Sequence, residues 1–182
     1  ECDATVRQRL GELYYRVREG IGFNKTPAEY GAFPYDPYSH TPGHAGAKQP
    51  GMTGQVKEEV LTRFGELGLR VAEGGVRIDP SLLRAREFVR EPRKFRYLDV
   101  NGNWQEIDVP AAGLAFTWCQ VPLVYQLDDA AETSLTITSK DGDTHTVSQL
   151  SLSPDTAAEL FQRTGNIRQL TVTVRADMLI AE

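Results

Sequence analysis

Between residues 69 and 150 the 182-residue chain carries three glycine-bearing turns, each set between runs of strand-forming residues. Glu73-Gly74-Gly75 separates Leu69-Arg70-Val71 from Val76-Arg77-Ile78, Asn101-Gly102 separates 95–100 from 104–109, and Asp141-Gly142 separates 134–139 from 144–150. Such residues supply the positive φ that tight hairpin turns need, so each pair of strands folds back antiparallel. The apolar, β-branched stretch 114–127 is long enough for two more strands, with a break expected near Pro122. Ser153-Pro154 opens a helix to about Arg163 with Gly165 as its stop, and Leu170 to Val174 alternates as a last strand. Residues 69–182 therefore predict a mostly antiparallel β-domain carrying one helix.

Within this region Asp79 to Leu83 reads as an irregular link. The segment Arg84 to Lys94, with five basic residues, reads as a solvated edge rather than a polyanion site. His145 lies in alternating hairpin sequence and is expected to be an exposed strand residue, not a ligand. Trp104 and Trp118 fall in strands and are expected in the core rather than as sugar platforms.

The first third of the chain follows a different period. Asp3 caps a helix running to about Glu19, with Val6, Leu10, Leu13, Tyr14 and Val17 on one face and Gly20 as its end. Thr26-Pro27-Ala28-Glu29 reads as a capping box for one short helical turn. A second long helix starts after Thr53, a good N-cap, and places Val56, Val60, Leu61, Phe64 and Leu67 at helical spacing. Gly68 is its left-handed stop.

Between these helices lies 33–59, FPYDPYSHTPGHAGAKQPGMTGQVKEE. Prolines 34, 37, 42 and 50 exclude a long helix or a central strand. A loop longer than about 12–15 residues is usually functional or disordered, and disorder disfavours aromatic residues. This stretch holds three aromatic rings beside Asp36, His40, His44, Lys48 and Gln49, and it reads as an ordered binding or active-site loop. A packed connector whose histidines satisfy backbone groups is the plainer alternative. At its end, Gly51-Met52-Thr53-Gly54 would present free backbone amides at a helix start, a feature that suits an anion but that every helix shares.

The net charge of −5, with Lys and Arg spread along the chain, argues against a nucleic-acid surface. No apolar run approaches the roughly 20 residues that cross a bilayer, so no membrane association is expected. Cys2 and Cys119 make neither a disulfide framework nor a metal-ligand spacing, and no metal or cofactor is expected. No targeting signal is read; the compartment stays open, with the cytoplasm as the default. A chain that opens on Glu1 at the edge of a helix is expected to be a fragment or a processed product.

The order of parts over about residues 30 to 83 resembles the end of the catalytic barrel in cellobiose-phosphorylase-like enzymes of the six-hairpin glycosidase superfamily. Pro37-Tyr38, His44-Ala45-Gly46, Thr53-Gly54, the helix 54–67, Leu67-Gly68-Leu69-Arg70 and Ile78-Asp79-Pro80 carry the resemblance. It implies an α+β chain: the terminal helical hairpin of an (α/α) barrel over 1–68, then a mainly antiparallel β-sandwich with one helix over 69–182. It further implies a carbohydrate substrate, a phosphate held by the Thr-Gly step, and a general acid upstream of this chain. Here Gln49-Pro50-Gly51-Met52 and Gln55 surround that step in place of the family's aromatic and small residues, so a hydrolase or lyase fits as well as a phosphorylase.

The sugar-binding residues so expected are Asp36, Tyr38, His40, His44, Lys48, Gln49, Thr53 and Gly54. Glycosidic cleavage needs an acid opposite a base, nucleophile or phosphate. Asp36, Glu58 and Glu59 are the local carboxylates for the second role, although for either glutamate a helix-stabilising N-terminal acid is the more expected reading. The expected whole is the C-terminal fragment of a glycoside hydrolase or phosphorylase, inactive without the remainder of its parent chain. The rival is a non-catalytic β-rich binding or interaction module.

Overall fold

The computed structural model describes the backbone of residues 3–20 and 53–180, and the side chains of 3–16 and 60–180. The turn expected at 21–25, the helical turn at 26–29 and the loop from 33 to 52 lie outside these residues. The chain divides into two compact units, Glu1–Gly65 and Glu66–Glu182. It is an α+β protein whose sheets are mostly antiparallel, with three α-helices among the described residues.

In the first unit, helix α1 spans Ala4–Gly20. The Asp3 carboxylate accepts the amides of Thr5 at 2.8 Å and Val6 at 3.4 Å, which caps the first turn as expected. These bonds hold the Asp3 carboxyl below its usual range, the Thr5 amide first among them. Helix α2 spans Thr53–Glu66, within one residue of the expected limits. The apolar spacing of both helices is visible, yet Val6, Leu10, Leu13, Val60 and Leu61 are exposed, Leu61 at 72 %.

The second unit begins at the last turn of α2, where Glu66 and Leu67 are buried. Gly68 then reverses the chain at φ +80°, and strand β1 (Leu69–Ala72) pairs antiparallel with β2 (Gly75–Ile78). Their turn is Glu73-Gly74, both at positive φ, so Gly75 belongs to the strand. The link after β2 is irregular as expected, but it is not a surface link: Leu83 is fully buried. Phe88 is the one buried anchor of the basic segment, whose Arg86, Arg90, Arg93 and Lys94 are exposed.

Strands β3 (Arg93–Leu98) and β4 (Trp104–Val109) form a two-stranded ribbon. Asn101-Gly102 does not make a two-residue turn. The Asp99 amide donates to the Asn103 carbonyl at 3.0 Å and the Gly102 amide to the Asp99 carbonyl at 2.9 Å, closing a three-residue loop with Gly102 at φ +78°. The same pattern recurs where Ser139 and Asp143 close the loop over Gly142, between β7 (Ser134–Ser139) and β8 (Thr144–Val147).

Strands β5 (Gly113–Trp118) and β6 (Val121–Leu127) break at Cys119-Gln120, both at positive φ, and not at Pro122. Pro122 sits inside β6. One residue from a two-residue turn, its missing N–H points away from β5, and the ladder on the other side starts only at Leu123, opposite Leu170. No ladder bond is lost there.

Strand β9 (Ser151–Leu152) adds to β2, and helix α3 (Pro154–Phe161) packs on both. Ser153 caps α3 by accepting the Thr156 amide. At the other end Thr164 donates to the Glu159 carbonyl and Arg163 to the Leu160 carbonyl, the Schellman pattern. Arg163, at φ +53°, is the left-handed residue, so the helix stops before Gly165 is reached.

Strand β10 (Ile167–Val174) runs parallel to β6 and antiparallel to β7, completing the order β5-β6-β10-β7-β8. Beside it the inner residues of β6 (Leu123, Val124, Tyr125) and β7 (Leu135) meet Leu170, Val172 and Val174 in the core. The register with β7 slips between Ile167 and Gln169, leaving Arg168 as the extra residue of a bulge.

Candidate functional site

Of the residues expected to bind sugar, Asp36, Tyr38, His40, His44, Lys48 and Gln49 lie outside the described residues. Thr53 and Gly54 form the first turn of α2, and Glu58 and Glu59 follow on the same helix. The helix start at the Thr-Gly step therefore stands as expected at the level of the backbone.

The tryptophans divide. Trp104 is 60 % exposed, and the Arg96 guanidinium lies 4.3 Å from its ring centroid, so the core placement expected for it is wrong. A two-stranded ribbon has only one face to bury, and Trp104 stands on the other, opposite Leu98. Trp118 is half-buried, edge-on to the Phe161 ring at 5.6 Å. His145 is exposed on β8, opposite Ile137, as expected. Among the described residues no group of three or more His, Cys, Asp or Glu side chains could hold a metal ion, and no helix is long and apolar enough to cross a membrane.

A cleft of about 280 Å³ with a lining about half polar and half apolar lies within the second unit, where the β3–β4 ribbon meets one end of the five-stranded sheet. Tyr97, Asp99, Asn101 and Gln105 come from the ribbon, Gln120 from the β5–β6 turn, Lys140 from the β7–β8 loop, and Arg168 from the bulge in β10. Each arrives for a local reason. Tyr97 and Gln105 are cross-strand neighbours on one face of the ribbon. Gln120 occupies the second left-handed position of a two-residue turn. The bulge lets Ile167 and Leu170 both face inward, three positions apart, while Arg168 turns to the cleft.

Asp99 organises the β3–β4 loop beside the cleft. Its carboxylate accepts the amides of Asn101 and Asn103, each at 2.9 Å, and Gln105 Nε2 at 3.0 Å, while its carbonyl accepts Gln120 Nε2 at 2.9 Å. The Asn103 amide is the main cause holding the Asp99 carboxyl below its usual range. Burial raises the Tyr97 phenol, and the nearby Arg168 charge works against that rise. The other acid of the lining, Glu106, lies 3.5 Å from Lys94 Nζ, which also meets Asp108 at 2.7 Å. The acids of the cleft are thus already engaged. Among the described residues, neither Lys140 Nζ nor the Arg168 guanidinium is paired with a carboxylate.

Among the described residues of its lining there is no nucleophile beside a base and no pair of unengaged carboxylates. Apart from Asn101, read only as a turn residue, none of these residues was singled out in the sequence, because they are spread from 97 to 168 without a shared spacing. Comparison of the chain with models of known protein families and with curated proteins finds no match.

Proposed function

We propose that the chain is part of a carbohydrate-active enzyme, a glycoside hydrolase or phosphorylase, to which residues 35–55 contribute a sugar- and anion-binding loop. In this reading α1 and α2 are the last helical hairpin of an (α/α) barrel, the second unit is the β-sandwich that follows it, and the general acid comes from elsewhere in the parent chain.

The observation that carries the reading is the exposed apolar stripe on α1 and the exposed apolar pair on α2. Val6, Leu10 and Leu13 recur at helical spacing on α1, and Val60 and Leu61 adjoin on α2, all exposed. An amphipathic helix is stabilised by covering its apolar stripe, and neighbouring barrel helices would do so. The order of the motifs supports it as well. Helix α2 starts on Thr53-Gly54 and ends beside Leu67-Gly68, and the Asp79 amide donates to the Gly68 carbonyl at 2.8 Å, so the Leu-Gly and Ile-Asp-Pro segments meet in space.

The test is glycoside cleavage, with and without phosphate, by the product of the whole reading frame that contains these residues. His44→Ala and Asp36→Ala should each lower kcat/KM about ten- to a hundredfold with the fold retained, since an unpaired sugar hydroxyl costs about 1–3 kcal/mol. Full activity in both variants ends the role of the loop. A whole reading frame with no additional amphipathic helices and no turnover ends the enzyme reading. It would leave the rival, a β-rich binding module, for which the engaged acids of the cleft speak.

A further inference from the structure

We infer that the cleft between the β3–β4 ribbon and the five-stranded sheet is a binding site for a single carboxylated sugar unit, a hexuronate. The residues named for it lie between 97 and 168. The choice of a sugar over another small carboxylate rests on the carbohydrate reading above; the requirement for an anion rests on the cleft alone.

Charge comes first. Among the described residues Lys140 and Arg168 border the cleft without a carboxylate partner, while its two acids, both still charged, are engaged by Gln105, Lys94 and backbone amides. The lining is therefore near neutral as a whole, and the two cations are the charges in it left to pair with an anion. A planar guanidinium matches a carboxylate with two parallel bonds, and the ammonium adds a point charge. The bulge points the same way: β10 gives up one rung of its ladder with β7, and the residue released is Arg168.

Hydroxyl recognition comes second. Gln105 and Gln120 each commit Nε2 to Asp99, which fixes both amides and leaves their Oε1 atoms as oriented acceptors. Tyr97 and Asn101 supply further polar groups. The volume decides the size. About 280 Å³ lies at the floor of the roughly 300–1,000 Å³ range of small-ligand pockets, room for one ring rather than a chain buried along its length.

The experiment is calorimetric titration of the complete 182-residue chain with glucuronate, glucose, acetate and inorganic phosphate at low salt. Glucuronate should bind at least about tenfold tighter than each of the other three, because only it joins charge to hydroxyls. Arg168→Gln and Lys140→Gln should each weaken glucuronate about tenfold while the melting temperature stays within a degree or so, since both side chains are exposed. No glucuronate binding, equal binding of glucose, or affinities untouched by both substitutions overturns the site. Equal binding of acetate or phosphate reduces it to a bare anion site and overturns the sugar assignment. No turnover is measured, so a negative result here leaves the loop variants as a separate test of the enzyme reading.

Discussion

Gly68 and Asp79 are locked together across the start of the β-unit. The Asp79 amide donates to the Gly68 carbonyl at 2.8 Å, and a Cβ on Gly68 would fall inside the Asp79 carbonyl group. With φ at +80°, position 68 is closed to side chains both by conformation and by space. The exit of α2 is thereby tied to the exit of β2.

Gly68→Ala should therefore be severe. Left-handed strain of about 1–2 kcal/mol adds to overpacking of about 1–3, for a loss of about 2–5 kcal/mol. Urea unfolding reads it as a lower midpoint; a shift below the lower figure would show that the junction relaxes easily.

Tyr125 is fully buried, and its hydroxyl donates to the Leu67 carbonyl beside the same junction. Burial pushes its phenol well above the usual range, so it stays a donor throughout the working pH range. Tyr125→Phe strands that carbonyl and should cost about 1–3 kcal/mol. The denaturant slope should not change, because the fold and the area exposed on unfolding are the same.

Arg163 points the other way. It holds the left-handed position after α3 where glycine is the usual choice, so Arg163→Gly should stabilise the chain by about 0.5–1 kcal/mol, partly offset by the freer unfolded state. A rise in Tm measures it. A fall would mean that the Arg163 side chain contributes more than its backbone costs.

Acid should weaken the β3–β4 loop that Asp99 holds. The folded-state pKa of Asp99 is depressed, chiefly by the Asn103 amide, so its contribution is complete above the unfolded value of about 4. It is lost as pH falls through the lower folded value. Asp99→Asn keeps an acceptor for the two turn amides but cannot titrate. The stability gap between the native chain and this variant should narrow from pH 5 towards pH 2; a constant gap would contradict the assignment.

Local chemistry made much of the architecture legible. Glu73-Gly74, Gly102 and Gly142 mark turns because positive φ is a property of one or two residues, wherever they lie. The same holds for the caps Asp3 and Ser153 and for the stop at Gly68, whose action reaches only a few residues. Expectations failed where local signals competed. Gly165 drew the helix stop away from Arg163, because packing held a non-glycine residue in a left-handed conformation that propensity disfavours.

By itself, then, the sequence determined where the chain turns and which segments alternate, since these depend on neighbours in the chain. Only the tertiary structure decided that Trp104 stands exposed beneath Arg96, that β6 and β10 run parallel at the centre, and that Arg168 is released by a bulge. It alone gathered Tyr97, Gln120, Lys140 and Arg168 around one cleft. The reason is physical: strand order and register follow from which apolar faces can be buried together, and that choice is made between segments far apart in sequence.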